Sequence, residues 1–300
     1  MTVAVHQEVA WTTARPEENR EFVAFVDACF GRPAGTSLRR AFPAALGPDN
    51  HRHHFEGSLD GRRVCAATAW VRPWVTSAGP VVVACVGNFA TAPSYRGRGF
   101  SGKLQTVLLQ SLRERGVEWA ALWTDRPALY ARRGFRAVGI ELHGDLASVD
   151  WPQPRAGDTV RRATTEDAAA VLALYDRHPL RVQRQPADVA AHLAPETSRT
   201  WLLERDGETI AYASLGKGAD FPGYVHEYGG PVDAVHALWG VAVEAGAEHV
   251  LLPQGSDPYR TGAAAALRAR VNEAAMIAPL TADAPRPTAV DFAVWGFDSA

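Results

Sequence analysis

Two stretches of this sequence carry the same hairpin. Leu59-Asp60-Gly61-Arg62-Arg63-Val64 and Arg205-Asp206-Gly207-Glu208-Thr209-Ile210 each place an Asp-Gly pair between strand-forming residues. Asp-Gly is a strong hairpin signal because both central residues of the turn need positive φ, which these two types tolerate. Behind each hairpin the chain continues alike, through a strand, a helix and another strand. A unit that recurs inside one chain constrains the fold more than any single element does. The reading is two copies of one α/β unit. A polar, Pro-containing stretch at residues 151–157 divides them into residues 1–155 and 156–300.

In the first copy, residues 17–30 form a helix with Phe22, Val23, Phe25, Val26 and Phe30 roughly on one face. Residues 53–59 and 63–71 are the strands of the hairpin. Residues 81–91 are a long run of small and branched apolar residues, as in a strand buried on both faces. Phe100, Leu104, Val107, Leu108 and Leu112 then recur at helical spacing, and Gly116 ends that helix. Residues 119–123 are a strand, 127–133 a short helix, and strand resumes at Phe135. The second copy opens with a strand and helix over residues 159–178, capped by Thr164 or Thr165 with Glu166 and Asp167 in the first turn. A hairpin over 201–214 and a strand over 224–228 follow. A helix then carries Val232, Val235, Leu238, Val241 and Val243. Residues 289–295 alternate as a final strand, after a Pro-bearing crossing at 284–287, and are expected to bury Phe292 and Trp295 at the junction of the halves.

Composition narrows the function classes. The chain has 300 residues, 47% of them hydrophobic, which is enough for two cores. Formal net charge is -2, so no global basic field invites nucleic acid. Lys103 and Lys217 are the two lysines; the arginine and alanine richness reads as the composition bias of a bacterial genome. Cys29, Cys65 and Cys85 fit no zinc pattern, and an odd count argues against a disulfide framework. No run approaches the ~20 apolar residues of a membrane helix, and no signal-peptide stretch opens the chain. The expected setting is cytoplasmic, with no membrane or metal role. His51, His53 and His54 lack partner ligands and read as solvated residues at a strand end.

The informative stretch is Thr91-Ala92-Pro93-Ser94-Tyr95-Arg96-Gly97-Arg98-Gly99-Phe100-Ser101-Gly102, which joins the buried strand to the amphipathic helix. Its glycines let the backbone turn tightly and aim several N–H groups at one spot. The helix N-terminus adds partial positive charge, and Arg96, Arg98 and Lys103 add full charges. That combination is a pyrophosphate cradle. Dinucleotide-binding and Walker signatures do not match it: no acidic residue closes a second strand about twenty residues on, and no Lys-Ser/Thr pair follows the glycines. The second copy has Gly229-Gly230-Pro231 at the corresponding place, without the arginine or the spaced glycines.

The stretch from Arg96 to Ser101 resembles the [Arg/Gln]-x-x-Gly-x-[Gly/Ala] signature of the GNAT superfamily of N-acetyltransferases. Arg96 stands first, Gly99 fourth, and Ser101 replaces the usual small residue. Leu129-Tyr130-Ala131-Arg132-Arg133-Gly134-Phe135 resembles the family's Tyr-x-x-x-Gly-Phe. The resemblance implies two tandem units, each a mixed, mostly antiparallel sheet flanked by helices. It implies acetyl-CoA as co-substrate, gripped by the loop over Arg96, Gly97, Arg98, Gly99, Phe100, Ser101 and Gly102. The strand end Phe89, Ala90 and Thr91 would hold pantetheine and the acetyl oxygen through its backbone. The implied reaction is acetylation of a small-molecule amine by direct attack, by a monomer or homodimer, with Tyr130 protonating the departing thiolate. No carboxylate stands on residues 81–92, so Glu56, Asp125 or a water chain is left as base, and Asp125 also suits a helix cap. Asp220, His226, Glu227 and Tyr228 are candidates for an acceptor pocket. The two-unit layout also resembles mycothiol synthase, and a non-catalytic acyl-CoA sensor or scaffold is the reading from another class.

Overall fold

In the computed structural model the chain is described over residues 9–298, except 34, 195–197, 219, 261–262, 285–287 and 289–291. The first half runs β1 (Ala10–Thr13), α1 (Asn19–Cys29), α2 (Leu38–Ala41), β2 (His54–Leu59), β3 (Arg62–Thr76), β4 (Gly79–Thr91), α3 (Phe100–Glu114), β5 (Trp119–Leu122), α4 (Pro127–Ala131) and β6 (Arg136–Asp145). The second half repeats the plan with β7 (Thr159–Arg162), α5 (Ala168–Tyr175), β8 (Arg181–Val182), α6 (Pro186–Leu193), β9 (Arg199–Arg205), β10 (Glu208–Leu215), β11 (Tyr224–Gly229), α7 (Val232–Glu244), β12 (His249–Pro253) and β13 (Arg270–Pro279). Both hairpins turn as their Asp-Gly pairs require, with φ of 51° and 72° at Asp60 and Gly61, and 53° and 80° at Asp206 and Gly207. Thr164 caps the turn leading into α5 through a capping box with Asp167.

The halves share one sheet, in the order β1-β2-β3-β4-β5-β13-β6-β12-β11-β10-β9-β7, with β8 on β3. The pairs β4–β5 and β11–β12 are parallel; the other pairs described are antiparallel. The late strand β13 lies between β5 and β6 of the first half, and β6 passes on to β12. No break in the sheet falls at the 151–157 linker. The expected final strand at residues 289–295 is not what completes the junction. Its residues 289–291 lie outside the described residues, and Phe292 to Trp295 are buried but not in a strand. The strand at the junction is β13, whose sequence has short branched and small residues rather than a clean alternation.

Side chains alternate across the central strands as burial on both faces demands. Ala84, Val86, Ala120, Leu122, Met276 and Ala278 face α3 and its Leu104, Leu108 and Leu112. Val83, Cys85, Trp119, Ala121, Ala275 and Ile277 face the opposite layer, with Trp70, Trp74 and Phe292. β13 therefore supplies both faces of the first half's core. The three cysteines are free, and burial raises the thiols of Cys65 (to about 11) and Cys85.

Two polar expectations change with the fold. His54 is buried, stacked on Phe22 at 4.5 Å and bonded to the Ala45 carbonyl at 2.9 Å, not solvated. Desolvation lowers it to about 4, so it is a neutral core imidazole. His226, Glu227 and Tyr228 are likewise core groups, because β11 is covered on both sides. Among the described residues no helix is long and apolar enough to cross a membrane.

Candidate active site

The site begins with a strand that outruns its neighbour. β4 pairs with β5 only over Val83–Cys85 against Trp119–Ala121. From Val86 to Thr91 it pairs with β3 alone, so its other edge is open. A bulge lies in this open stretch: Ala66 faces Ala90 and Thr68 faces Gly87, leaving Asn88 and Phe89 opposite the single residue Ala67. Asn88 takes φ of 53° and donates from Nδ2 to Thr68 Oγ1 at 2.9 Å. The bulge takes Asn88 and Phe89 out of regular pairing with β3, and both line the adjoining cleft.

The loop after β4 wraps one end of that gap. Gly97 and Gly99 have φ of 76° and 80°, and nothing lies within 4 Å of a Cβ built on either. Gly99 is the N-cap of α3 with no side-chain cap, and the first turn has no acidic residue. An uncapped helix N-terminus beside open space over two glycines is what an anion site needs. Arg96 is tied to the protein backbone at the edge of this space. Its guanidinium donates to the carbonyls of Thr91 (3.2 Å) and Cys29 (2.9 Å), locking the loop between β4 and the end of α1. Arg98 lies over the rings of Tyr95 and Phe100, each at 5.2 Å. A groove of about 630 Å³ follows the loop and the strand end, lined by Phe89, Ala90, Thr91, Arg96, Gly97, Gly99, Phe100 and Ser101. Arg98 and Gly102 are not in its lining. Gly102 makes room for Arg133, which donates across α3 to Thr106.

A second cleft, of about 710 Å³, adjoins the first. The two share Phe30, Phe89, Ser101, Arg126 and Leu129, so they are contiguous at the open edge of β4. Tyr130 lines the second cleft. Gly134, at φ of 85°, ends the short helix and turns Phe135 into the core, edge-on to Tyr130 at 6.1 Å; Phe89 lies 5.9 Å on another side. The Tyr130 hydroxyl has no protein partner among the described residues. Burial, and then the neighbouring Asp125, raise its phenol above the ordinary tyrosine value, so it stays protonated. Asp125 lines the cleft and does not cap α4; Thr124 Oγ1 takes the Arg126 amide there instead. Glu56 is bound to Arg63 at 2.5 Å and lines neither groove. Of the second-half candidates only Asp220 reaches the cleft.

Several lining residues carried no sequence signal. Cys29, Phe30 and Arg32 come from the end of α1, some sixty residues before the loop, and only the fold brings them over. Phe30 and Leu129 are 51% and 61% exposed, unusual for large apolar side chains, and both stand where the grooves meet.

The second half has the same strand geometry and a different filling. β11 pairs with β12 over Tyr224–Val225 and then outruns it. The chain's own segment from Trp295 to Asp298 packs on the freed residues. Trp295 lies on Tyr228 at 5.2 Å, Phe297 on His226 at 4.8 Å, and the Phe297 amide donates to Glu227 at 3.3 Å. Arg184, itself buried, holds Glu227 by two bonds of 2.7 and 2.8 Å and Asp298 at 2.8 Å. Gly230, at φ of 122°, lies against the backbone of β10, with Ala211 Cα 2.7 Å from a built Cβ.

Residues 11–138 match the model of an acetyltransferase (GNAT) domain. The match places a GNAT-like acetyltransferase stretch in the first half of the chain. A mycothiol acetyltransferase of Amycolatopsis mediterranei is 32% identical over 143 residues, which are 40% of this chain and 44% of that protein. The chain thus spans less than half the length of that relative. A GCN5-related N-acetyltransferase from Kribbella flavida superposes with a TM-score of 0.66 at 20% identity, over 92% of this chain and 72% of that one. The Saccharomyces cerevisiae N-myristoyltransferase with bound myristoyl-CoA superposes with a TM-score of 0.59 at 10% identity, over 96% and 82%. At these identities the structural likeness establishes the fold, and it extends over both halves.

Proposed function

We propose that this chain transfers an acetyl group from acetyl-CoA to the amine of a small molecule by direct attack, with the acetyl-CoA site in the first half. One observation carries the reading: the open, bulged edge of β4 lies between a groove with a glycine cradle and a cleft lined by Tyr130. In this reading the amides of Gly97, Gly99 and the first turn of α3 take the pyrophosphate. The backbone of Phe89, Ala90 and Thr91 takes the pantetheine arm and the acetyl oxygen. Holding amine and thioester on either side of one strand edge supplies most of the rate through proximity. A backbone donor at the bulge stabilises the tetrahedral oxyanion. Tyr130 gives its proton to the departing thiolate, and its raised pKa keeps that proton available at neutral pH. Asp125, exposed at the same cleft, receives the amine's proton directly or through water.

The test is to incubate the protein with acetyl-CoA and a panel of small amines and follow free thiol. Release that depends on the amine, and that falls by about 10²–10⁴-fold in Tyr130→Phe with acetyl-CoA affinity unchanged, is the expected result. Tight acetyl-CoA binding without thiol release on any amine would favour the sensor reading. The stretch shared with a mycothiol acetyltransferase supports a second enzyme reading, in which the acceptor is of the kind that enzyme uses.

A further inference from the structure

We infer that the acceptor is an amine that also carries a carboxylate and an apolar body, and that Arg32 is the residue that recognises its carboxylate. This rests on the proposed acetyl transfer and concerns the cleft beside Tyr130. Arg32 follows α1 and lines that cleft, yet its Nε is buried and donates to nothing in the protein. A guanidinium nitrogen withdrawn from water without a partner is costly, and the cost is offset when an anion arrives to accept its protons. The planar fork of arginine matches a carboxylate through two parallel bonds.

The rest of the lining narrows the class. Its charged residues among those described are Arg32, Arg126, Asp125 and Asp220, two positive and two negative. A lining with no net charge suits a molecule with none, such as a zwitterion. It suits a polycationic amine or a phosphate dianion less well, since neither would find enough opposite charge. Asp125 stands beside Tyr130 and raises its phenol, which puts the anionic end for an ammonium group near the reacting atoms. Between the charges the wall is Phe30, Leu38, Phe42, Trp123 and Leu129, which asks for apolar or aromatic bulk on the acceptor. An amino acid with a large apolar side chain, or a short peptide ending in one, has all three features.

The experiment uses the full chain saturated with acetyl-CoA and compares phenylalanine, phenylalaninamide, 2-phenylethylamine and spermidine by thiol release. Phenylalanine is expected to exceed the amide and the decarboxylated amine by about tenfold or more in kcat/KM, the scale of one charge-assisted pair. In Arg32→Gln that advantage disappears, through KM. A binding arm covers the case in which none of these is a good acceptor: calorimetry on the CoA complex with N-acetylphenylalanine and its amide. The acid should bind about tenfold tighter, with the preference lost in Arg32→Gln and partly kept in Arg32→Lys. Turnover or binding that ignores the carboxylate, equal losses for acid and amide in Arg32→Gln, or no binding of either compound would each overturn the inference while leaving acetyl transfer standing. Acid-selective binding through Arg32 with no thiol release from any amine would instead break the acetyltransferase reading.

Discussion

The two halves solve the same strand problem in opposite ways. In each, a parallel pair parts after two or three residues and leaves one strand with an open edge. In the first half the edge is bulged, bordered by glycines with empty space over them, and faces two contiguous grooves. In the second half the edge is covered by Trp295, Phe297 and Asp298, and an arginine with two carboxylates anchors the cover. Unpaired backbone inside a protein must find partners or be left for a ligand. The same fold therefore yields a binding site or a piece of core, according to whether the chain supplies its own filling. The second half gives structure back to the first through β13.

Removing that contribution should have the largest effect. Residues 1–155 contain every residue of the proposed cofactor cradle, but without β13 they expose the edges of β5 and β6 and lose Met276, Ile277 and Phe292 from both faces of the core. An open apolar edge of this kind aggregates. The fragment is expected to be insoluble, or soluble but unable to bind acetyl-CoA, and co-expression with residues 156–300 should restore both. Gel filtration and calorimetry decide it. A monomeric fragment that binds acetyl-CoA like the full chain would show that the interlock is dispensable.

Paired glycine substitutions sharpen the contrast. Gly99→Asp places a side chain and a negative charge in open space at the cradle, so folding should suffer by only about 1–2 kcal/mol from the positive φ. Acetyl-CoA affinity should fall by about 100-fold or more, the effect of losing roughly 3 kcal/mol of anion binding. Gly230→Ala should do the reverse. Its Cβ meets the backbone of β10, and overpacking of this kind costs about 1–3 kcal/mol of stability. Binding should stay at one acetyl-CoA per chain. A stoichiometry near two in the unaltered protein, or an unaffected affinity in Gly99→Asp, would put the cradle elsewhere.

What the sequence made legible follows from range. The hairpins, the cradle and the Tyr130 motif are local: Asp-Gly dictates its turn, and Gly97 and Gly99 dictate positive φ between a strand and a helix. The insertion of β13 between β5 and β6 is a pairing over more than a hundred residues, with no local signal to announce it. For the same reason Arg32 was invisible as a member of the cleft, and Asp220, a candidate from its own stretch of sequence, could not be placed beside Tyr130. Glu227 stayed open between pocket and strand roles because strand polarity looks the same whether a polar side chain lines a pocket or meets a buried arginine.

The smallest expected effect tests the filling of the second half by protonation. His178, His192 and His226 all touch the segment that covers β11: His178 stacks on Trp295 at 3.9 Å, His192 on Phe297 at 4.3 Å, and Phe297 lies edge-on to His226. Burial holds all three neutral, with His178 and His226 lowered to about 4 and His192 well below its ordinary value. Below about pH 6.5 the unfolded chain takes up these protons and the folded chain does not, so stability falls as the pH drops from 6.5 towards 4. Arg184 and Lys217 add to the penalty on His192, while Glu227 and Asp257 favour the charge on their neighbours. Asp298 opposes the trend, because burial raises its carboxyl to about 6 and the folded chain then binds a proton the unfolded chain lacks. His192 isolates the effect, since its Nε2 is buried without a hydrogen bond and loses none on replacement. His192→Phe should therefore raise stability over the unaltered protein by about 2 kcal/mol more at pH 5 than at pH 8. Urea unfolding of both proteins at the two pH values measures the difference. A gap that stays constant with pH would mean that His192 titrates alike in both states and that the cover over β11 is open to water.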